Sequence, residues 1–327
     1  MITRSLNECD ARGKSMIKIS AIVCTFKRPD YLRHAVLSLC NQTLAQAEYE
    51  IIVVDNAAEA EAERVVRELQ DQGVNLRYVT EKSVGLSRAR NKGLSESRGK
   101  YVAFLDDDAR ADERWLETLV KSFESNSPSP AAVGGRVWLD WDGKKPEWVP
   151  NEQLSVYTYV DHGDQAHALR DDEYLVGANL AFAKESLESL GGFDARLGRQ
   201  GTLLMSGEET QILQTLQDRG FVVLYEPAAF VWHSVHPSRK KRGWLLKRMF
   251  WDGASQPLLD SSGATSSRRL IFRSVCSDLR QCIGWSVRAV SASIQGRNTT
   301  AWQSLLGLSQ RAGRVRTQMR RLAWNHD

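Results

Sequence analysis

Three consecutive carboxylates, Asp106, Asp107 and Asp108, directly follow the apolar segment Tyr101 to Leu105. The segment is typical of a buried strand, whereas adjacent acids repel one another and are costly to bury. Both requirements are met if the strand ends at Leu105 and the acids project from its carboxyl end, where open α/β sheets bind their ligands. A divalent cation would relieve the repulsion, because it prefers oxygen ligands and bridges carboxylates to phosphates. The pattern therefore predicts a metal or phosphate site.

The alternative is that the acidic triplet starts a helix, because Asp favours N-caps and first turns. The segment Ala111 to Leu116 has the composition of a helix start. However, Asp112 and Glu113 can serve that helix without the triplet. We therefore favour the metal or phosphate interpretation.

Strand and helix patterns alternate four times in the first 125 residues, which is typical of a doubly wound parallel sheet. The predicted strands are Ile17 to Phe26, Ile51 to Val54, Leu76 to Thr80 and Tyr101 to Leu105. The predicted helices begin at Pro29, at about residue 59, at Gly85 and at about residue 112. No GxGxxG follows the first strand and no GxxxxGK[ST] occurs anywhere, which argues against dinucleotide and P-loop sites.

After residue 131 the pattern predicts a mixed sheet with one helix, Gly207 to Arg219. The further strands are predicted at Ala132 to Trp138, Leu175 to Ala183, Phe221 to Tyr225 and Ala229 to Trp232. A loop from Leu139 to Asp164 is rich in tryptophan, tyrosine and proline. Its Trp148 has a flat aromatic face suited to stacking on an acceptor sugar, but tryptophans of this loop equally suit covering the sheet edge.

Charge is divided unequally along the 327 residues. Residues 237–327 contain seventeen Lys and Arg against four Asp and no Glu, a net charge of +13, while residues 1–236 have a net charge of −9. Two long amphipathic helical patterns occupy this basic region. They suit an anionic membrane surface, or packing on the rest of the chain or on a second subunit in a homo-oligomer. Nucleic acid is not favoured, because no recognised binding module accompanies the charge.

Five cysteines, an odd number without a CxxC pair, indicate reduced thiols and no zinc site. The first residues lack the apolar core of a signal peptide, and no run approaches the roughly 18 apolar residues that span a bilayer. We therefore expect a cytoplasmic protein that is soluble, or peripheral on the inner face of the membrane.

Several short motifs occur together in one order and resemble a family 2 glycosyltransferase with the GT-A fold. The motifs lie at Val23 to Arg28, Ile52 to Asn56, Gly85 to Gly93, Phe104 to Asp108, Gly177 to Asn179, Gly191 to Asp194 and Ser206 to Glu209. The resemblance covers about residues 17–236. It implies a Rossmann-like, mixed and mostly parallel sheet flanked by helices, and the charge and helical patterns place a basic helical extension after it.

The resemblance gives a transferase domain at 17–236, and the composition and charge pattern add a disordered lead-in (1–16) and a basic helical region (237–327). Within the transferase domain, residues 17–125 form the nucleotide-binding half and residues 126–236 the acceptor half.

The resemblance also implies roles for residues of the nucleotide-binding half. Asp55 would bind the base, although a turn-forming role is the alternative. Arg90 and Asn91 would lie near the diphosphate at a helix N-terminus. The residues expected to bind the nucleotide sugar are Thr25, Phe26, Arg28, Asp55, Arg90, Asn91, Asp106 and Asp107.

The expected cation is Mn²⁺ or Mg²⁺. Asp108 would be one ligand, and His233 a further ligand at a strand end, with a structural role or replacement by His236 as the alternatives. The metal would stabilise the nucleoside diphosphate leaving group.

A general base is expected where the family places a carboxylate at a helix start, here Glu208-Glu209. Inversion requires a base that takes the proton of the attacking hydroxyl. Glu209 occupies the usual base position and Glu208 is the alternative; both also suit a helix N-terminus. Asn179 and Asp194, together with Trp148, are the expected acceptor contacts.

The implied activity is inverting, metal-dependent, non-processive sugar transfer from a nucleotide sugar, with a UDP-sugar favoured, to a lipid-linked or polysaccharide hydroxyl. The chain lacks the Gln-x-x-Arg-Trp motif of processive synthases. One alternative is a non-catalytic GT-A relative acting as a membrane or assembly partner. Another is a sugar nucleotidyltransferase, which would need a glycine-rich loop after the first strand.

Overall fold

The computed structural model describes residues 16–70, 75–201, 203–259 and 268–324. The expected lead-in therefore lies outside the described residues, except for Met16. Within these ranges the chain forms nine strands and nine α-helices. The strands are β1 Ile19–Thr25, β2 Tyr49–Asp55, β3 Leu76–Thr80, β4 Tyr101–Asp106, β5 Ala109–Ala111, β6 Ala132–Asp140, β7 His167–Ala168, β8 Asn179–Ala183 and β9 Val223–Ser234. The helices are α1 Pro29–Cys40, α2 Ala60–Gln70, α3 Leu86–Glu96, α4 Trp115–Ser125, α5 Lys184–Ser189, α6 Glu208–Asp218, α7 Arg242–Leu259, α8 Arg268–Ile294 and α9 Asn298–Trp324.

The strands form one mixed sheet in the order β3-β2-β1-β4-β8-β6-β9-β5, with β7 paired to β9. Strands β1 to β4 are parallel, and β2 is buried along its whole length, as expected for a strand covered on both faces. Thr25 pairs with Asp55, and Cys24 pairs with Asp106. The register therefore brings the carboxyl ends of β1, β2 and β4 together at one edge.

The second half of the sheet is antiparallel and is joined to the first by β8, which pairs with β4. Residues 223–234 form one continuous strand, so the prediction of two strands around Pro227 was wrong. Pairing with β7 near its start and with β5 near its end holds β9 together across the proline. A proline removes one ladder hydrogen bond but does not end a strand that is paired on both sides of it.

Two compact units divide the described chain. The first contains residues up to 139, 158–193 and 212–234 and holds the sheet; the second contains 140–157, 194–211 and residues from 235 onward. The second unit thus includes two segments that the linear division assigns to the transferase domain. Both units have their own buried residues.

The C-terminal helices pack closely on one another within the second unit. A Cβ atom on Gly253 of α7 would lie 1.8 Å from the carbonyl oxygen of Gln310 in α9, and one on Gly313 would lie 1.8 Å from that of Phe250. Glycine at both positions therefore permits close helix contact. Among the described helices, none combines the length and apolar character needed to cross a bilayer.

Candidate active site and metal centre

The acidic triplet joins two strands and does not start a helix. β4 ends at Asp106, and β5 begins at Ala109, which pairs with His233 of β9. The Ser234 amide donates a hydrogen bond to the Asp108 carbonyl oxygen over 2.8 Å. The following helix has its own acid, because Asp112 accepts a hydrogen bond from the Arg114 amide. The geometry therefore excludes the helix-start alternative for the triplet.

Asp106, Asp108 and His233 converge on one point of the first unit. One ligand atom from each lies within 4.8 Å of the others. His233 Nε2 is 3.0 Å from Asp108 Oδ1 and 4.0 Å from Asp106 Oδ2. In the described part of the chain, one group of three or more His, Cys, Asp or Glu side chains could hold a metal ion, and it is this one.

His233 provides an independent test of whether a cation fits. Its side chain is fully buried, yet neither ring nitrogen has a hydrogen-bond partner in the described part of the chain. The short distance to Asp108 lacks hydrogen-bond geometry. A buried polar atom without a partner is costly, and a cation between the imidazole and the two carboxylates would satisfy it. The donor set of two oxygens and one nitrogen fits a divalent transition metal.

Asp107 faces the end of β1 and not the metal group. Its carboxylate accepts hydrogen bonds from Thr25 Oγ1 at 2.9 Å and from Arg28 Nη1 at 3.3 Å. Burial, followed by the charge of Asp108, raises the pKa of Asp107 to about 6, against the opposing effect of Arg28. Arg28 also pairs with Asp108 at 2.9 Å. The half-exposed Arg28 therefore neutralises two members of the triplet.

Arg90 and Asn91 of α3 are engaged inside the unit. The Arg90 guanidinium is buried, stacks over Phe193 and pairs with Asp106 at 3.4 Å. Asn91 exchanges two 2.8 Å hydrogen bonds with the backbone of Phe193. A Cβ atom on Gly177 would lie 2.1 Å from Arg90 Nη2, so glycine there makes room for the guanidinium. These contacts make Arg90 a support for Asp106.

Asp55 and Phe26 lie at the carboxyl edge of the sheet. Asp55 is fully buried and accepts hydrogen bonds from the amides of Ala57 and Glu59 and from the Tyr78 hydroxyl, each within 2.8 Å. This is the geometry of the turn-forming alternative. A carboxylate has about four acceptor positions, so it retains capacity for one further donor. Phe26 is half-buried.

Four of the five cysteines lie within the described residues, and none of the four forms a disulfide. Cys24, Cys40, Cys276 and Cys282 are free thiols, and Cys9 lies outside the described residues. Burial raises the pKa of Cys24 to about 12, so its thiol stays protonated near neutral pH. Burial also raises the pKa of Cys40. Burial therefore favours the protonated, less nucleophilic form of these two thiols.

Glu208 and Glu209 open helix α6, as the sequence predicts. Gly207 precedes them at a φ of +105°, a conformation that favours glycine. Glu208 is buried, with 3% of its surface exposed, whereas Glu209 is half-buried. Glu209 is therefore the more exposed residue of the two, although its Oε2 atom is buried, as is that of Glu208.

The segment before these glutamates is held by α7 of the same unit. Arg248 Nη1 lies 3.4 Å from the Leu204 carbonyl oxygen and 3.5 Å from Ser206 Oγ. The Ser206 amide donates to Ser255 Oγ at 3.1 Å. Burial is the main influence on the Arg248 guanidinium and lowers its pKa, while attraction to Asp252, Glu209 and Glu208 opposes that effect.

Sequence reasoning did not identify Arg248 or Ser255. They are seven residues apart on one helix and so share a face, but no motif accompanies them. Their partners lie 44 and 49 residues earlier in the chain. The sequence offers one indication of a buried role for Arg248, which is its position within the largely apolar run from Trp244 to Trp251.

The three expected acceptor contacts differ in their surroundings. Asn179 is fully buried; its amide donates to the carbonyl oxygens of Arg136 and Ala229 and accepts from Trp115 Nε1. It therefore holds the sheet together. Trp148 is half-buried and packs edge-on against Trp302. Asp194 accepts hydrogen bonds from the exposed Arg196 side chain.

Comparison with curated proteins identifies two relatives over most of their length. The chain is 32% identical over 247 residues to a protein named glucosyl-dolichyl phosphate glucuronosyltransferase of Haloferax volcanii, covering 75% of this chain and 78% of that protein. It is 29% identical over 257 residues to the succinoglycan biosynthesis protein ExoM of Rhizobium meliloti, covering 76% of both.

Solved structures agree on the fold. A mannosyltransferase from Pyrobaculum calidifontis, described as a complex with GDP-Man and Mn²⁺, matches 95% of this chain and 88% of its own with a TM-score of 0.63 at 16% identity. Residues 1–349 of Staphylococcus aureus TarS, described as a complex with UDP-GlcNAc, match 73% of this chain and 66% of their own, with a TM-score of 0.50 at 16% identity.

The family model described as Glycosyl transferase family 2 matches residues 20–190, the range that holds the parallel strands, the acidic triplet and β8. The chain therefore belongs to glycosyltransferase family 2, and its mixed sheet with flanking helices is a GT-A fold.

Proposed function

We propose that this glycosyltransferase moves one sugar per encounter from a nucleotide sugar to an acceptor hydroxyl, with inversion and with the help of a divalent cation. The observation that carries the proposal is the convergence of Asp106, Asp108 and the buried His233. The nucleotide sugars named with two structures of similar fold, GDP-Man and UDP-GlcNAc, support a donor of this class. A UDP-sugar remains the favoured donor.

Asp106, Asp108 and His233 would hold the cation, and Mn²⁺ is favoured over Mg²⁺. Mg²⁺ prefers an all-oxygen shell that includes several waters, whereas imidazole suits transition metals better. When bound, the cation would offset charge on the departing diphosphate. Asp106 would also contact the nucleoside.

Other residues near the triplet serve the donor in this proposal. Thr25 and Phe26 line the base pocket, and Asp55 uses its remaining acceptor position for a base N–H. Arg28, half-exposed beside Asp107 and Asp108, supplies positive charge to the diphosphate. Arg90 acts through Asp106 and Asn91 through the Phe193 segment, so both are positioning residues.

Glu209 is the proposed general base. The acceptor oxygen forms a bond to the anomeric carbon, the bond to the nucleoside diphosphate breaks with its electron pair leaving on the diphosphate, and the acceptor proton passes to Glu209. Its half-buried state supports this choice over the buried Glu208. Glu208 then serves the helix N-terminus.

A lipid-linked acceptor is favoured over a free polysaccharide. The relative with 32% identity is named for transfer to glucosyl-dolichyl phosphate, while the name succinoglycan biosynthesis protein supports the polysaccharide alternative. Trp148 and Asp194 remain the proposed acceptor contacts. We propose that the enzyme works at the inner, cytoplasmic face of the membrane, where a lipid carrier would be reached.

The donor site is tested by metal-dependent nucleotide binding. We expect UDP or GDP at about a hundred times its Kd to raise the Tm by about 5 °C when Mn²⁺ is present and not when the metal is chelated. Asp108→Asn should remove the effect, because the ion loses one charged ligand. Asp172→Asn, which alters an exposed carboxylate of the same unit, should keep it. An equal rise in the Asp108→Asn variant would refute the metal assignment.

The base is tested by separating chemistry from binding. Glu209→Gln removes the proton acceptor while keeping the side-chain shape, and general base catalysis contributes about 10²- to 10⁴-fold. We expect kcat for transfer to fall by that factor while the Kd for the Mn²⁺–nucleotide complex stays unchanged. Glu208→Gln should lower kcat less. The assignment is wrong if Glu208→Gln is the more damaging of the two.

The support from α7 is tested with Arg248→Gln. Hydrogen bonds to a charged group are worth about 1.5–3 kcal/mol, so displacement of the 204–206 segment should lower kcat about 10- to 100-fold. Nucleotide affinity should change little, whereas the Tm should fall by several degrees, because the same hydrogen bonds contribute to the free energy of unfolding. Lys247→Gln removes the same charge from the exposed neighbour and should leave kcat unaltered. If both variants keep normal kcat, Arg248 has no positioning role.

A further inference from the structure

Helix α8 presents a long apolar stripe that no described residue of its own unit covers. Its members recur at steps of three, four or seven residues and are between 46% and 81% exposed. They are Phe272, Leu279, Ile283, Val287, Val290 and Ile294. At about 100° of rotation per residue, they fall on one face, and they extend over roughly 33 Å of helix. An apolar stripe of this size on a surface indicates an interaction site.

The buried face of α8 is a different one and has its own partner. Ile271, Val275 and Ala289 are buried, and helical geometry places them about 100° around the helix from the exposed stripe. On this face Asp278 pairs with Arg311 of α9 at 3.0 Å. Packing between α8 and α9 therefore does not account for the stripe.

The arginines of α9 are largely engaged within the second unit. Arg311 and Arg314 pair with Asp278, Arg316 stacks over Trp251, and Arg321 donates to the Pro257 carbonyl oxygen. The sequence pattern presents both amphipathic helices as equal candidates for an anionic surface. The contacts leave α8 as the better candidate.

Positive charge follows one edge of the exposed stripe. Arg269, Arg273 and Arg280 are exposed, and helical geometry places them next to the apolar face. Asp278 is the one carboxylate in α8, and it is buried. A second copy packed in parallel on this stripe would bring like charges together. An anionic bilayer would instead offer phosphates to the arginines and acyl chains to the apolar residues.

We propose that α8 binds the surface of a bilayer rich in anionic phospholipid. The aliphatic side chains enter the boundary between headgroups and acyl chains, and the three arginines meet lipid phosphates. The helix lies in the plane of the interface and does not span the bilayer. This surface would keep the second unit, with Glu209, at the membrane independently of which sugar is transferred.

Flotation of the full-length chain with vesicles tests the proposal. We expect binding to vesicles that contain phosphatidylglycerol and little binding to phosphatidylcholine alone. The double variant Ile283→Glu, Val287→Glu should lose binding, because it places charge on the apolar stripe. Replacing Arg269, Arg273 and Arg280 by Gln should lower the partition coefficient on the order of 100-fold.

Matched controls alter exposed residues of the first unit. Phe221→Glu is the control for the stripe, and Gln at Arg98, Arg114 and Arg219 is the control for charge. Both should float as the wild type does.

The proposal is overturned if the stripe variant floats normally, or if neutral vesicles bind equally well. Sedimentation velocity tests whether the stripe binds a second copy of the chain. A wild-type dimer that the stripe variant converts to a monomer would assign the face to a second copy and contradict the membrane proposal.

Discussion

Electrostatic repulsion among Asp106, Asp107 and Asp108 is the constraint on which the candidate donor site depends. Arg90 pairs with Asp106, Arg28 pairs with both Asp107 and Asp108, and Thr25 donates to Asp107. These partners come from α3 and from the end of β1, whereas His233 reaches Asp108 from β9, in the antiparallel half of the sheet. Neither ring nitrogen of His233 has a hydrogen-bond partner among the described residues. A cation fits there because it would bind both the imidazole and the carboxylates.

Adjacent acidic side chains also occur at the start of α6, where Glu208 and Glu209 lie next to each other. A helix N-terminus tolerates acids, but the segment that leads into it depends on Arg248, whose side chain is 13% exposed and whose guanidinium contacts a backbone carbonyl oxygen and a hydroxyl. The basic C-terminal region thus has two distinct surfaces in the second unit. α7 supports the proposed base segment, and α8 carries an apolar stripe edged with arginine.

Local patterns predicted much of the fold before residue 125, because the buried parallel strands are continuous apolar runs and the helices bury residues at helical spacing. The acidic triplet could also be recognised locally, because it directly follows an apolar strand. The sequence could not decide whether His233 or His236 lies near Asp108, because that depends on the pairing of β5 with β9. In the structure, His236 accepts a hydrogen bond from the Ser238 amide. The hydrogen bonds of Asn179 could not be predicted, because its three partners, Trp115, Arg136 and Ala229, are distant in sequence. Arg248 was missed because its partners are backbone and hydroxyl groups that form no motif.

The central claim is that His233 and two carboxylates of the triplet share one metal ion. Electron spin echo envelope modulation on the Mn²⁺-loaded protein measures this directly, because a coordinated imidazole nitrogen modulates the echo of the metal. We expect nitrogen modulation in the wild type that disappears in His233→Gln and persists in His236→Gln. Modulation that survives loss of His233, or a wild-type spectrum identical to that of Mn²⁺ in water, would contradict the assignment.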